Sequence, residues 1–383
     1  MPAFTPDAAR VLGDPWQQLR LDAAERVAAA SLPTTDEEIW RYSRIAELEL
    51  SRYEPLDTVT VVTESPYVFR DAVDEVSDVL GVDAPDVFAE ANTVLMTPWC
   101  VRVPRGVTVE APIVVTHTVD LGGAAHYPRL VIDAGPDSEF TVIERFVTSD
   151  GAEAVDTLVV PMLHVRARQG ARVRYLSINE LSDQAWLIGH QRAVAERDSS
   201  ILLASVALGG YYARVRTEAR VVGAGASTRQ VALYFASGDQ MHDFRTLQDH
   251  AAPHGSSDLL FKGAVTDKAR SVYTGLIKIR ENARGTAAYQ TNRNLTLSQG
   301  AWAESVPNLE IETNDVRCSH ASTVGPIDEE QLYYLESRGI RPEVAERLVV
   351  LGFFDEVIEQ LPAAALAAEL RARVAAKFLG DAA

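Results

Sequence analysis

Cys100 and Cys318 are the only cysteines in this 383-residue chain. They are too few and too far apart to suggest a disulfide framework, and they cannot complete a metal site alone. Iron or zinc held through thiolate would need histidine, carboxylate or a second chain as well. Positive charge is scarce too: 36 Lys and Arg stand against 54 Asp and Glu, a formal net charge of −18. So acidic a surface repels phosphate backbones and anionic headgroups, which argues against nucleic acid and membrane as partners. No apolar run approaches the roughly 20 residues of a membrane helix. The longest, Ile201 to Leu208, has the length of a buried strand. The N-terminus runs through Pro2, Pro6 and Asp7 with no basic segment leading into an apolar one, so no secretory signal is expected and a cytoplasmic location is. A Walker-type phosphate loop, a Gly-x-Ser-x-Gly elbow and a dinucleotide fingerprint between strand and helix are all missing, so the chain is not expected to hydrolyse nucleotide itself.

Composition is otherwise that of a folded protein, with 47% hydrophobic and 23% charged residues. Hydrophobic periodicity divides it into three parts. Residues 1–91 read as a helical lobe. Asp14-Pro15 is a helix start, Trp16, Leu19, Ala23 and Val27 share one face, a second helix is expected after Asp36, Glu37 and Glu38, and a third stretch covers Tyr67 to Ala91. Residues 92–325 change to a period of two, the sign of a long β core. In Ala213 to Val221, small residues alternate with Arg214, Arg216, Glu218 and Arg220, which predicts one face on the core and one in water. Residues 326–383 return to helical spacing. Gly339 is a left-handed helix stop with Ile340 packing back, and Pro342 and Pro362 open two further helices.

Gly151, Gly170, Gly189 and Gly209 recur every 19 or 20 positions. A glycine corner repeating every 20 or so residues is the signature of a β-solenoid, with a β-sandwich and an antiparallel barrel still open.

Few residues carry obvious chemistry. Cys318 and His320, two apart on an extended strand, would point the same way and could share a metal or cluster. Read alone they are as well a small buried hydrophobe and a strand-end polar residue. His242 with Asp243, and Asp249 with His250 and His254, form a short cluster whose spacing matches no zinc pattern, and turn-capping is the simpler reading. Glu310 and Glu312 share a strand face, which admits a β-solenoid carbohydrate-active enzyme, although a solvated acidic face is simpler.

Longer segments resemble a known family. Gln290-Thr291-Asn292-Arg293-Asn294-Leu295, Val306-Pro307-Asn308-Leu309-Glu310-Ile311 and Asp315-Val316-Arg317-Cys318-Ser319-His320-Ala321-Ser322-Thr323-Val324-Gly325 resemble the SufB/SufD family of iron–sulfur cluster assembly scaffolds. The likeness continues through Asp328 to Leu335 and Ser337 to Ile340, and Glu-x-x-Trp-Arg-Tyr ending at Tyr42 is similar to the family's N-terminal lobe. The Cys-Ser-His wording and the shortage of cysteine resemble SufD rather than SufB, with Ser322 a small departure.

The resemblance implies a mainly β fold, a right-handed parallel β-helix flanked by N- and C-terminal α-helical regions. It implies a non-enzymatic scaffold pairing edge to edge with a SufB-like partner, with His320 facing a SufB cysteine and Cys318 beside it. A SufC-like ATPase would dock on the C-terminal module, for which Leu332, Tyr333, Arg338, Gly339, Ile340 and Leu348 are the expected contacts. The isolated chain would hold no tight cofactor. Iron or an iron–sulfur cluster would be shared transiently with the partner, and a flavin in the complex and a homodimer of the isolated chain are both compatible. A SufB-type paralogue is the nearest rival.

Overall fold

A computed structural model describes residues 4–11, 16–56, 59–62, 65–70, 84–149 and 155–378. Asp14-Pro15 and Gly151 lie outside them. The β-branched, alternating segments form two parallel sheets wound by one chain. One sheet runs through Pro98–Val103, Arg129–Ala134, Met162–Ala167, Trp186–Ala195, Tyr212–Val221, Met241–His250, Arg270–Ile279 and Trp302–Ile311. The facing sheet runs through Ile113–Val119, Glu139–Thr148, Arg172–Glu180, Ser200–Ala207, Ser227–Ala236, Ser256–Val265, Thr286–Thr296 and Val316–Gly325. Each turn takes one strand from each sheet, giving a parallel β-solenoid of about eight turns.

The rung is longer than the glycine spacing predicts. Tyr212 pairs with Met241 and Met241 with Arg270, a repeat of 29 residues. Gly189 is mid-strand in Trp186–Ala195, so the 19-to-20 spacing does not mark a corner. The recurring left-handed corner alternates residue types instead: Gly170, Asp198, Gly225, His254 and Gly285 all have positive φ. Asparagine, aspartate and histidine tolerate that region better than other side chains, which hides the corner from a search for glycine alone.

Side chains pointing inward fill the solenoid. In the early rungs they are apolar, including Leu130, Ile132, Val165, Val173, Ile201 and Leu203. In the later rungs they turn polar: Gln230, Thr246, Gln248, Gln290, Asn292 and Asn294 are all buried. The Ala213–Val221 alternation holds for the inward face. The outward Arg214, however, is buried rather than solvated, because the N-terminal lobe covers it.

That lobe opens with helices Pro6–Val11 and Gln17–Ala29. The predicted face of Gln17–Ala29 is buried at Ala23 and Val27, together with Arg20. Arg20 donates to the carbonyls of Val94 and Met96, at 2.7 and 2.6 Å, and so satisfies the end of helix Val87–Leu95. After Asp36 the expected helix is replaced by short 3₁₀ turns, Glu38–Trp40, Ile45–Glu47 and Leu50–Arg52. The solenoid captures the carbonyls that a helix would use: Arg214 donates to Ile39 and Arg245 to Arg41, each at 2.7 Å. The stretch from Tyr67 is not helix throughout, since Val68–Arg70 is a strand; Val87–Leu95 is helical, and residues 71–83 lie outside the described residues.

The two ends of the solenoid differ. At the first, Val59–Val62 and Val68–Arg70 pair antiparallel with Ile113–Val119 and Pro98–Val103, which interrupts the parallel stacking. At the other, no described strand lies beyond Trp302–Ile311 or Val316–Gly325. The C-terminal helices Glu329–Ser337, Pro342–Ile358 and Ala367–Ala376 do not cap that end. Val350, Phe354, Val357, Leu370 and Val374 instead pack on the outer side of the second sheet, against Leu176, Val206, Leu233 and Phe235.

Candidate functional site

Cys318 and His320 sit on Val316–Gly325, the last strand of the second sheet, where they pair with Ala288 and Gln290. Cys318 packs against the buried cluster of Ile277, Ile279, Ala283 and Ala288 inside the solenoid. Alternation then turns His320 and Ser322 inward as well, and Ser322 meets Ser305 of the opposite strand at 2.7 Å. The two sequence-predicted ligands thus share the inner wall of an open mouth. Cys318 is half-buried and His320 exposed. Burial pushes the Cys318 thiol above its ordinary pKa. Among the described residues no group of three or more His, Cys, Asp or Glu is placed to hold a metal, so no third side chain of these types joins the pair there. The other cysteine, Cys100, is buried beside Trp16, Met96 and Val131.

Around the mouth, positions that are core one rung earlier lie open. Ile277 and Ile279 are fully buried, whereas their partners Leu309 and Ile311 are 38% and 42% exposed. Val324, on the inner face beyond Ser322, is 42% exposed. These residues form the apolar rim of an unfinished core. Tyr42 of the lobe, held at positive φ, packs on Trp302 at the start of the edge strand, ring centres 5.7 Å apart. Nothing in the sequence spacing pointed to that contact.

His242, His250 and His254 are not brought together in one site. His242 is fully buried, with Nε2 3.2 Å from the Gly209 carbonyl oxygen, and burial lowers its pKa to about 3. His250 Nε2 lies 2.8 Å from the Ser257 hydroxyl, and burial lowers its pKa to about 4. His254 is an exposed corner residue. Asp249 joins two arginines, Arg220 and Arg280. Asp243 lies at the heart of a buried ionic cluster: it accepts from Arg214 at 2.6 Å, Arg245 at 2.7 Å and the Tyr212 hydroxyl at 2.8 Å. That cluster anchors the lobe. Glu310 and Glu312 both face Lys278, at 2.6 and 3.7 Å, as an ion-paired outer surface.

On the C-terminal module Asp328 caps helix Glu329–Ser337. Gly339, at φ +82°, ends it: the Gly339 amide donates to the Glu336 carbonyl and the Ile340 amide to that of Leu335. This is the glycine stop read from the sequence. Tyr333 is 73% and Leu348 45% exposed, Arg338 stacks on Tyr334, and Leu332 packs inward on the helix–sheet core. A shallow groove lies between the first two helices, lined by Gln331, Tyr334, Leu335, Leu348 and Val349. No described helix is long and apolar enough to cross a membrane.

Residues 116–353 match the family model described as SUF system FeS cluster assembly, SufBD core domain. The chain is 34% identical over 358 residues to an iron–sulfur cluster assembly SufBD family protein of Mycobacterium tuberculosis, covering 89% of this chain and 88% of that one. It is 30% identical over 287 residues to the iron–sulfur cluster assembly protein SufD of Escherichia coli, covering 74% and 67%. Against SufD of Bacillus subtilis the figures are 30% over 262 residues, covering 68% and 59%. The matched core holds the open rung and both predicted ligands, and the chain therefore belongs to the SufBD family of the SUF iron–sulfur cluster assembly system, as a SufD-type member.

Proposed function

We propose that this chain is a non-enzymatic, cytoplasmic scaffold subunit that builds iron–sulfur clusters together with a SufB-like scaffold and a SufC-like ATPase, and takes part in acquiring the iron. One observation carries this reading. The solenoid stops with inward-facing Leu309, Ile311 and Val324 uncovered and with Cys318 and His320 in the same mouth. Burying a fully exposed side chain of this kind is worth about 1.5–3 kcal/mol, so covering the 38–42% still exposed at these three is worth roughly 0.6–1.3 kcal/mol each. A partner that continues the solenoid would gain this at each rim position, together with the hydrogen bonds of two free strand edges. The same partner would bring the ligands that this rung lacks. A thiolate and an imidazole suit iron, which here is cargo rather than a resident cofactor.

Exposed Tyr333 and Leu348 and the groove beside them support docking of the ATPase on the C-terminal module, with Arg338, Gly339 and Ile340 shaping the helix end. ATP-driven movement of two docked ATPase subunits would then shift the scaffolds and open their shared mouth. The isolated chain would expose the same rim, which favours a homodimer when the partner is missing. A flavin is compatible with the complex, and the net charge still argues against nucleic acid.

The test is co-expression with a SufB-like chain and a SufC-like ATPase. A stable three-component complex is expected. His320→Ala should leave that complex intact and lower cluster formation at least tenfold, read by cluster absorbance and bound iron and sulfide. Capture of neither partner would overturn the scaffold reading, and full cluster formation by the variant would remove His320 from the site.

A further inference from the structure

Immediately below His320 in the inward column of the second sheet stands Gln290. Neighbouring strands lie about 4.8 Å apart, so the carboxamide of one residue and the ring of the other occupy adjacent steps of the same wall. Gln290 is 1% exposed, yet neither its Oε1 nor its Nε2 has a hydrogen-bond partner. Its amide reaches across the lumen to Gly275, where even a methyl group would come within 2.5 Å of Nε2. The lack of a side chain at Gly275 thus leaves room for the amide. Several polar groups nearby are committed elsewhere. Tyr273 bonds with Thr246 at 3.0 Å, and Asn292, Asn294 and Tyr234 bond among themselves.

A buried amide with both polar atoms idle is costly, and of the two such amides in this column, Gln230 and Gln290, only Gln290 adjoins the open rung. The inward group on the next rung is the imidazole of His320. A neutral imidazole carries one N–H and one bare nitrogen, and a carboxamide supplies the matching acceptor and donors.

We propose that Gln290 is a positioning residue for His320, its carboxamide holding the imidazole inward in a single tautomer, directly or through one water. With one ring N–H donating to Gln290 Oε1, the other nitrogen is left bare and aimed at the mouth. Histidines that ligate metals are commonly oriented in this way through their second nitrogen. The proposal rests on the assembly reading only for what that bare nitrogen binds.

The test uses the full chain with ¹⁵N-labelled histidine, at a pH well above the ordinary histidine value of about 6.5. The His320 signals are assigned by their loss in His320→Ala. In the unsubstituted chain the two ring nitrogens should show the widely separated shifts of one tautomer. In Gln290→Met and Gln290→Leu, each confirmed folded by circular dichroism, the separation should collapse toward the average of two exchanging tautomers. Gln230→Leu is the control. Gln230 is equally buried and also unpartnered, but Leu259 separates it from Gln290 in the column, so it should leave the His320 signals unchanged. Unaltered His320 shifts in both Gln290 variants would overturn the proposal, as would an equal change in Gln230→Leu. No iron, cluster or partner is needed, so this result stands or falls separately from cluster formation by His320→Ala.

Discussion

Replacing Asp243 by alanine removes the anion at the centre of the contact between lobe and solenoid. Its side chain is fully buried, and those of Arg214 and Arg245 are 2% and 6% exposed, so little solvent screening is left to soften the loss. Two guanidiniums would remain in the interior without their counter-ion. Breaking a buried ion pair from one side costs about 3–5 kcal/mol, which corresponds to a fall of roughly 4–6 °C in Tm for a chain of this size. The assay is denaturant unfolding followed by circular dichroism and tryptophan emission. Trp40 is a local probe, since the Arg214 guanidinium lies 3.9 Å from its ring centre.

The combined variant Asp243→Leu, Arg214→Met, Arg245→Met should recover much of the loss, because apolar replacements remove the unpaired charge. Acid should act similarly. Burial by itself raises the Asp243 pKa, but the charges of Arg214 and Arg245 and the hydrogen bonds to Arg245 and Tyr212 outweigh it and hold the group below its ordinary value. The stabilisation is therefore complete above the unfolded carboxylate value of about 3.9 and disappears as the pH falls from there through the lower native value. A loss under about 1 kcal/mol in Asp243→Ala would refute the argument, because a cost of that size belongs to an ordinary solvated pair.

Acid also acts through the buried histidines. His250 is neutral when folded, with its pKa lowered to about 4, so below about 6.5 the unfolded chain binds a proton that the folded chain refuses, at about 1.4 kcal/mol per pH unit. His250→Asn should flatten the dependence of unfolding free energy on pH between about 6 and 4.5 relative to the parent chain. Phe354 is fully buried against Phe235 and the outer side of the second sheet, so Phe354→Ala should cost about 3–5 kcal/mol and speed proteolysis of the C-terminal helices. Tyr333→Ser with Leu348→Asp alters exposed positions and should leave Tm within about 2 °C while weakening ATPase capture at least tenfold, read by titration calorimetry.

Much of this was legible in local pattern. The change of period into the long β core, the Ser200–Ala207 strand, the Asp328 cap and the Gly339 stop all depend on residues a few positions apart. The Cys318–His320 pair was legible for the same reason, since a two-residue spacing on a strand fixes a shared face. The rung length was not. Its corner asks only for a left-handed backbone, which Asp198 and His254 supply as Gly170 and Gly225 do, while Gly189 lies in a strand and marks no corner. The segment after Asp36 carries helix signals, but they are outcompeted by arginines some 175 and 204 positions away.

The sequence by itself determined the fold class, the family and the shared strand face of Cys318 and His320, because each is encoded by periodicity or by short contiguous wording. Only the tertiary structure decided that the solenoid ends in an open rung, that the C-terminal helices lie along its side, that Arg214 and Asp243 are buried, and that Gln290 stands unpartnered beneath His320. Those facts depend on which rungs stack against which. Stacking is set by pairings about 29 residues apart, and a reading of neighbours along the chain does not reach that far.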